Sequence, residues 1–263
     1  MKKIRIYGNP GAKRVFLQLT DEHDQELMGS QTEKLKELLP GQDWCIAVIP
    51  VQDWGQDLTP WSAPPAYGKE PFGDGASKTL QVLINQVIPE LEEQYQKENA
   101  DDLHMIEGNQ RSLGEGRLKD VQLSEEDYQR SNTDHQRIEA TNSLSREYYL
   151  CGYSLAGLFA LWAACETNVF SGVAAVSPSV WYPGWLDFAQ THQIKTPKVY
   201  LSLGEKEPKT RNPVMRLVGD AIRAEHELLK EAGIRTTLEW NPGNHFVDSD
   251  LRTAKGMAWL LTG

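Results

Sequence analysis

Tyr148-Tyr149-Leu150-Cys151-Gly152-Tyr153-Ser154-Leu155-Ala156-Gly157-Leu158-Phe159 reads as an apolar strand that runs through a turn of small residues into a helix. A serine at the apex of such a turn sits on a strained backbone that only small neighbours tolerate, which accounts for Gly152 before it and for Ala156 and Gly157 after it. The turn lifts the Ser154 hydroxyl above the carboxyl end of the strand, and the following helix aims its first amides, Leu155 foremost, at the same point. The spacing departs from Gly-x-Ser-x-Gly by placing Ala156 at the second glycine, a small change because alanine is the next smallest residue.

Strand and helix patterns alternate on both sides of this segment. Towards the N-terminus, Arg14–Thr20 (RVFLQLT) and residues 44–51 (WCIAVIPV) are short, apolar and β-branched, and residues 31–39 (QTEKLKELL) between them form an amphipathic helical pattern. Residues 76–96 carry Leu80, Leu83, Ile84, Val87 and Leu91 at helical spacing, with a kink expected at Pro89. Towards the C-terminus come strands at residues 172–177, 198–203 and 235–240, and helices from Leu155 to about Cys165, over 213–232 and near 251–261. Such alternation predicts an α/β architecture, one domain over residues 1–263, with a mostly parallel central sheet covered by helices on both faces.

Residues 99–145 break the pattern: they are polar, charged and almost without apolar periodicity, too long for a connection inside a compact domain. They read as an insertion with exposed ends. Because it leaves directly into the strand before Ser154, it is expected beside the mouth of the site.

With 37 acidic against 27 basic residues the chain carries a formal net charge of -10, which repels polyanions and speaks against a nucleic-acid partner. The Lys2, Lys3 and Arg5 opening lacks the apolar run of a signal peptide, and no stretch is long enough to span a membrane. Cys45, Cys151 and Cys165 are an odd set without CxxC spacing, so a reducing, cytoplasmic setting is expected. HExxH, P-loop and GxGxxG patterns are missing, so neither a metal nor a cofactor is expected.

A nucleophilic serine needs a base, and histidine is the side chain that titrates near neutral pH. Of the six histidines, His245 stands in a turn-forming cluster, Asn241-Pro242-Gly243-Asn244-His245-Phe246, directly after a strand, which brings it to the same sheet edge as Ser154. His104 and His135 fall in the polar insertion, His192 follows a short helix, and His226 sits mid-helix beside Glu225 and Glu227. His23 follows the first core strand but precedes the serine in the chain. A carboxylate is expected on the loop after residues 198–203, where Gly204-Glu205-Lys206-Glu207 offers two candidates. Tryptophans on loops, Trp54 and Trp61 in one segment and Trp181 in another, together with Tyr153, could wall an acyl or aryl pocket; the tryptophans could equally pack their loops onto the sheet.

The chain resembles the esterases related to esterase D and the enterobactin esterases, within the α/β-hydrolase superfamily. The likeness spans most of the chain and rests on GYSLAG around Ser154, SLGEKE through Glu205 and Glu207, GNHF at His245, and the segment Asp53 to Trp61 (DWGQDLTPW). It implies hydrolysis of small-molecule carboxylic or thio esters through an acyl-enzyme, without a metal. An acyltransferase would use the same groups with a different acceptor, and a silent binding protein would keep the fold without turnover. Thr20-Asp21-Glu22-His23 replaces the usual His-Gly after the first core strand, so the second oxyanion-hole donor falls near Asp21 by position. The related esterases carry their acid in a G-x-x-E or G-x-x-D arrangement, which maps onto Gly204 and Glu207; a carboxylate three residues past the glycine has also come round the turn towards the histidine loop.

Overall fold

The computed structural model describes residues 4–97 and 146–263. Residues 99–145, where the insertion is expected, lie outside them, as does the side chain of His23.

Among the described residues seven strands form one sheet: β1 (Arg5–Gly8), β2 (Arg14–Thr20), β3 (Cys45–Pro50), β4 (Glu147–Tyr153), β5 (Gly172–Val176), β6 (Lys198–Gly204) and β7 (Arg235–Asn241), in the order β1-β3-β2-β4-β5-β6-β7. β1 runs antiparallel to β3, and all other neighbours are parallel. Side chains alternate between two clusters. On one face Val15, Leu17, Leu150, Val173, Ala175, Val199 and Leu201 pack under α4 (Leu155–Glu166) and α6 (Val218–Glu231). On the other, Phe16, Ile46, Tyr149, Cys151, Val176 and Tyr200 meet α1 (Glu22–Leu38) and α7 (Ser249–Thr262), which also pack on each other. Strands buried on both faces read as largely apolar runs, which is why β2 to β6 stand out in the sequence, whereas the edge strand β7 is only partly buried.

Four local differences from the expected elements have physical causes. α1 begins at Glu22 rather than near residue 31, because the Asp21 side chain caps it by accepting from the Asp24 amide at 2.8 Å. The helix α3 (Ala76–Val82) passes into a π-turn at Leu83–Val87, closed by the Ile88 amide on the Leu83 carbonyl, and continues to residue 97, so the helical register widens just before Pro89, which has no N–H to donate. The helix expected over 213–232 is split, with a 3-10 turn at Met215–Leu217 ahead of α6. The strand β1 is four residues long and half-exposed, too weak a pattern to read from the chain.

The chain steps outward from β2 to β3, returns past β2 to β4, and then steps outward the other way through β5, β6 and β7. Ligand sites of open α/β sheets lie at the carboxyl ends of the strands where the order reverses, here between β2 and β4. The ends of the 99–145 segment join elsewhere. Arg146 donates to the carbonyls of Ala12 at 2.9 Å, Leu91 at 3.2 Å and Pro10 at 2.8 Å, and lies 4.7 Å over the Tyr95 ring, at the amino edge of the sheet. Seven residues of β4 separate that edge from Ser154, roughly 25 Å. The expectation that the insertion lies beside the mouth of the site falls on residues outside those described; Arg146, which follows it, stands at the amino edge because it enters the start of a strand, opposite the edge where that strand ends.

Candidate active site

Ser154 follows β4 directly with φ 58° and ψ -121°, a backbone that L residues rarely adopt. The turn that holds it there is tied on both sides. The Ser154 amide donates to the Val176 carbonyl at 3.0 Å, and its carbonyl accepts from Gly157 at 3.0 Å, Leu158 at 3.1 Å and Ser179 at 3.0 Å. Glycine at 152 is obligatory, since a Cβ there would lie 2.1 Å from the Ala156 carbonyl oxygen.

His245 lies in the turn after β7. Gly243 turns the chain with φ 93°, in a place where a Cβ would come within 2.7 Å of Val247. Backbone bonds at 2.9 Å from Glu205 to the Asn241 carbonyl and from Lys206 to that of Gly243 join this turn to the loop after β6. Glu207 opens a 3-10 turn at Glu207–Lys209, where Pro208 suits the first turn of a helix. These constraints set three side chains in a row: Glu207 Oε2 lies 2.7 Å from His245 Nδ1, and His245 Nε2 lies 3.1 Å from Ser154 Oγ. Glu205 is exposed and contributes only its amide to the turn.

The second carboxylate oxygen of Glu207 is occupied as well. Oε1 accepts from the Gly204 amide at 2.7 Å, Ser177 Oγ at 2.8 Å and Arg252 Nη1 at 3.2 Å. Burial pushes the carboxyl up, but the hydrogen bonds and charge of His245, with those of Gly204 and Ser177, outweigh it and hold Glu207 below its ordinary range. Arg252 from α7 is 1% exposed, and nothing in its local sequence marks it for the site except its place, four residues before Gly256 and eight before Leu260, on the buried stripe of the helix.

The two amides expected to form an oxyanion hole sit on adjacent strand ends. Leu155 is the first residue of α4, and its N–H has no hydrogen-bond partner among the described residues. β2 pairs with β4 in the register Gln18↔Cys151, which carried to the strand ends sets Asp21 level with Ser154. The Asp21 amide also lacks a partner among the described residues, while its side chain caps α1.

No family model matches the chain, and no curated protein matches it in sequence. Solved structures do match. The siderophore hydrolase EstA from Aspergillus nidulans superimposes with a TM-score of 0.62 at 18% identity, over 95% of this chain and 82% of that one. EstB from Aspergillus nidulans, also a siderophore hydrolase, gives 0.61 at 16% identity, over 97% and 88%. The enterobactin esterase FES from Shigella flexneri gives 0.55 at 14% identity, over 98% of this chain and 55% of that one. The chain has the α/β-hydrolase fold. At these identities the likeness is one of fold.

In α/β hydrolases the serine, acid and histidine follow one another along the chain, and Ser154, Glu207 and His245 stand in that order. The tryptophan loops lie over the same edge of the sheet. Trp54 opens the short helix α2 (Trp54–Asp57), which packs on α4. Trp61 Nε1 donates to the Pro183 carbonyl at 2.8 Å, Tyr182 Oη donates to the Trp61 carbonyl at 2.5 Å, and the Trp181 ring meets that of Phe72 at a tilt of 51° with centroids 6.1 Å apart. These contacts staple the two loops together, and the second loop starts at Ser179, whose Oγ is 3.5 Å from Ser154 Oγ. Tyr153 takes a supporting position instead of an open wall: its hydroxyl donates to the His245 carbonyl at 2.6 Å and its ring lies 5.2 Å from the imidazole. A hollow of about 410 Å³ lined by Gly8, Lys36, Leu39 and Trp44 lies at the amino edge, away from all of these groups. Among the described residues no cluster of histidine, cysteine, aspartate or glutamate could hold a metal ion, and no helix is long and apolar enough to cross a membrane.

Proposed function

We propose that the chain is a serine-dependent carboxylic ester hydrolase working through an acyl-enzyme on Ser154. The observation that carries this reading is the position of His245, within hydrogen-bond reach of Ser154 Oγ through Nε2 and of Glu207 through Nδ1. His245 Nε2 takes the hydroxyl proton as Ser154 Oγ attacks the ester carbonyl, and the Leu155 and Asp21 amides receive the charge that develops on the carbonyl oxygen. The imidazolium returns the proton to the leaving alcohol; water then attacks the acyl-enzyme with His245 again as base. Glu207 holds the imidazole in the accepting tautomer and offsets its charge after transfer.

The substrate is a small-molecule ester, with the Trp54, Trp61 and Trp181 loops as the nearest surface for its acyl or alcohol part. Structural neighbours support ester chemistry, since they include siderophore hydrolases and an enzyme described as an enterobactin and salmochelin hydrolase. The three cysteines are buried and none forms a disulfide, which fits the reducing cytoplasm. The test is turnover of a panel of acyl esters of graded chain length together with enterobactin, by wild type, Ser154→Ala and His245→Ala. Hydrolysis by wild type lost in both variants supports the reading. An equal rate in Ser154→Ala sinks it.

A further inference from the structure

Resting on the esterase reading, we propose that Arg252 is a positioning residue that holds the acid and the base of the site in one geometry. Its guanidinium reaches the segments that carry Ser154, Glu207 and His245. Nη1 donates to Tyr153 Oη at 3.3 Å, Ser177 Oγ at 3.3 Å and Glu207 Oε1 at 3.2 Å; Nη2 donates to the carbonyls of Pro242 at 2.8 Å and Asn244 at 3.0 Å. Tyr153 precedes the nucleophile and in turn holds the His245 carbonyl, so the base is gripped from both sides of its turn.

A helix anchor would not be built this way. A guanidinium that is 1% exposed is costly to desolvate, its Nε has no partner among the described residues, and an apolar side chain would pack α7 on the sheet at less cost. What the guanidinium adds is a planar fork that an apolar side chain or a lysine cannot reproduce. The strand end is kept bare where the fork passes: a Cβ on Gly204 would lie 2.9 Å from Arg252 Nη2. With Ser177, Gly204 and Arg252 all on Oε1, the Glu207 carboxylate cannot rotate, and Oε2 stays aimed at His245 Nδ1. Loss of the fork frees both the carboxylate and residues 242–244.

The experiment compares wild type, Arg252→Met and Arg252→Lys by steady-state kinetics on one activated ester, by circular dichroism, and by the downfield proton resonance of the His245–Glu207 hydrogen bond, assigned by its loss in His245→Ala. In Arg252→Met kcat falls on the order of a hundredfold while KM stays within about twofold, because misplacement of a catalytic group affects the chemical step. Arg252→Lys, with charge but no fork, loses about tenfold. The resonance broadens or disappears in both variants although they remain folded. Folded variants with wild-type kcat and an unchanged resonance overturn the proposal, and if Arg252→Met does not fold, Arg252→Lys decides by the same criteria. The resonance needs no turnover. If wild type hydrolyses no ester, the esterase reading fails separately, and the resonance alone still shows whether Arg252 holds the pair.

Discussion

Among its partners Glu207 meets two cationic or titratable groups, His245 on one oxygen and Arg252 on the other, and its replacement is therefore felt twice. Glu207→Gln is expected to lower turnover on the order of a hundredfold, since a neutral amide cannot offset the imidazolium. It is also expected to lower stability by roughly 1–3 kcal/mol, since it leaves a buried guanidinium without its counter-charge. The folded carboxyl lies below its ordinary value, so this stability is present above the unfolded value and disappears as pH falls through the folded one. Denaturant unfolding of wild type and variant at neutral and acid pH checks it: the difference should shrink in acid. Glu205→Gln should change neither activity nor stability. The spacing Gly204-x-x-Glu207 and the turn cluster around His245 were legible because turns are written in adjacent residues. Arg252 was not, because its acceptors come from four distant segments and nothing next to it in the chain reports them.

The strand–turn–helix around Ser154 depends on an approach of backbones that one methyl group would prevent. Gly152→Ala would bring a Cβ to 2.1 Å from the Ala156 oxygen and is expected to cost more than about 3 kcal/mol, read as a lowered denaturant midpoint or failure to fold. This element was legible because its small residues and its apolar strand coincide. The packing of α5 (Trp185–Thr191) on α6 holds a different stress. Glu225 is buried, and burial pushes its carboxyl up to about 7 against a hydrogen bond from Trp185 Nε1. The folded state then binds more protons than the unfolded state between the ordinary carboxylate range and pH 7, so this group lowers stability as pH rises through that window. Glu225→Gln keeps an acceptor for Trp185 and should remove the slope. Thermal unfolding from pH 5 to pH 8 should show the variant gaining on wild type by on the order of 2–3 kcal/mol, and parallel curves would refute the assignment. Sequence alone showed Glu225 only as one acid in an amphipathic helix, since its burial follows from how α6 meets α5.

Across the whole molecule, the sheet order puts the candidate site at one edge and the junctions of residues 99–145 at the other. The α/β class and strand positions were readable because buried parallel strands are largely apolar, whereas strand order depends on long-range pairing that no local pattern contains. Replacement of residues 98–145 by a short glycine-serine linker is expected to leave ester turnover within about twofold of wild type, because the junctions lie roughly 25 Å from Ser154. A large loss of kcat in the folded variant would tie the segment to the site. The central claim, that Ser154 is a nucleophile activated by His245, is tested most directly by intact-protein and peptide mass spectrometry after reaction with a fluorophosphonate. The account predicts one adduct, on Ser154, absent from Ser154→Ala and formed far more slowly in His245→Ala. A folded wild-type protein that takes up no adduct, or takes it up at another residue, would contradict it.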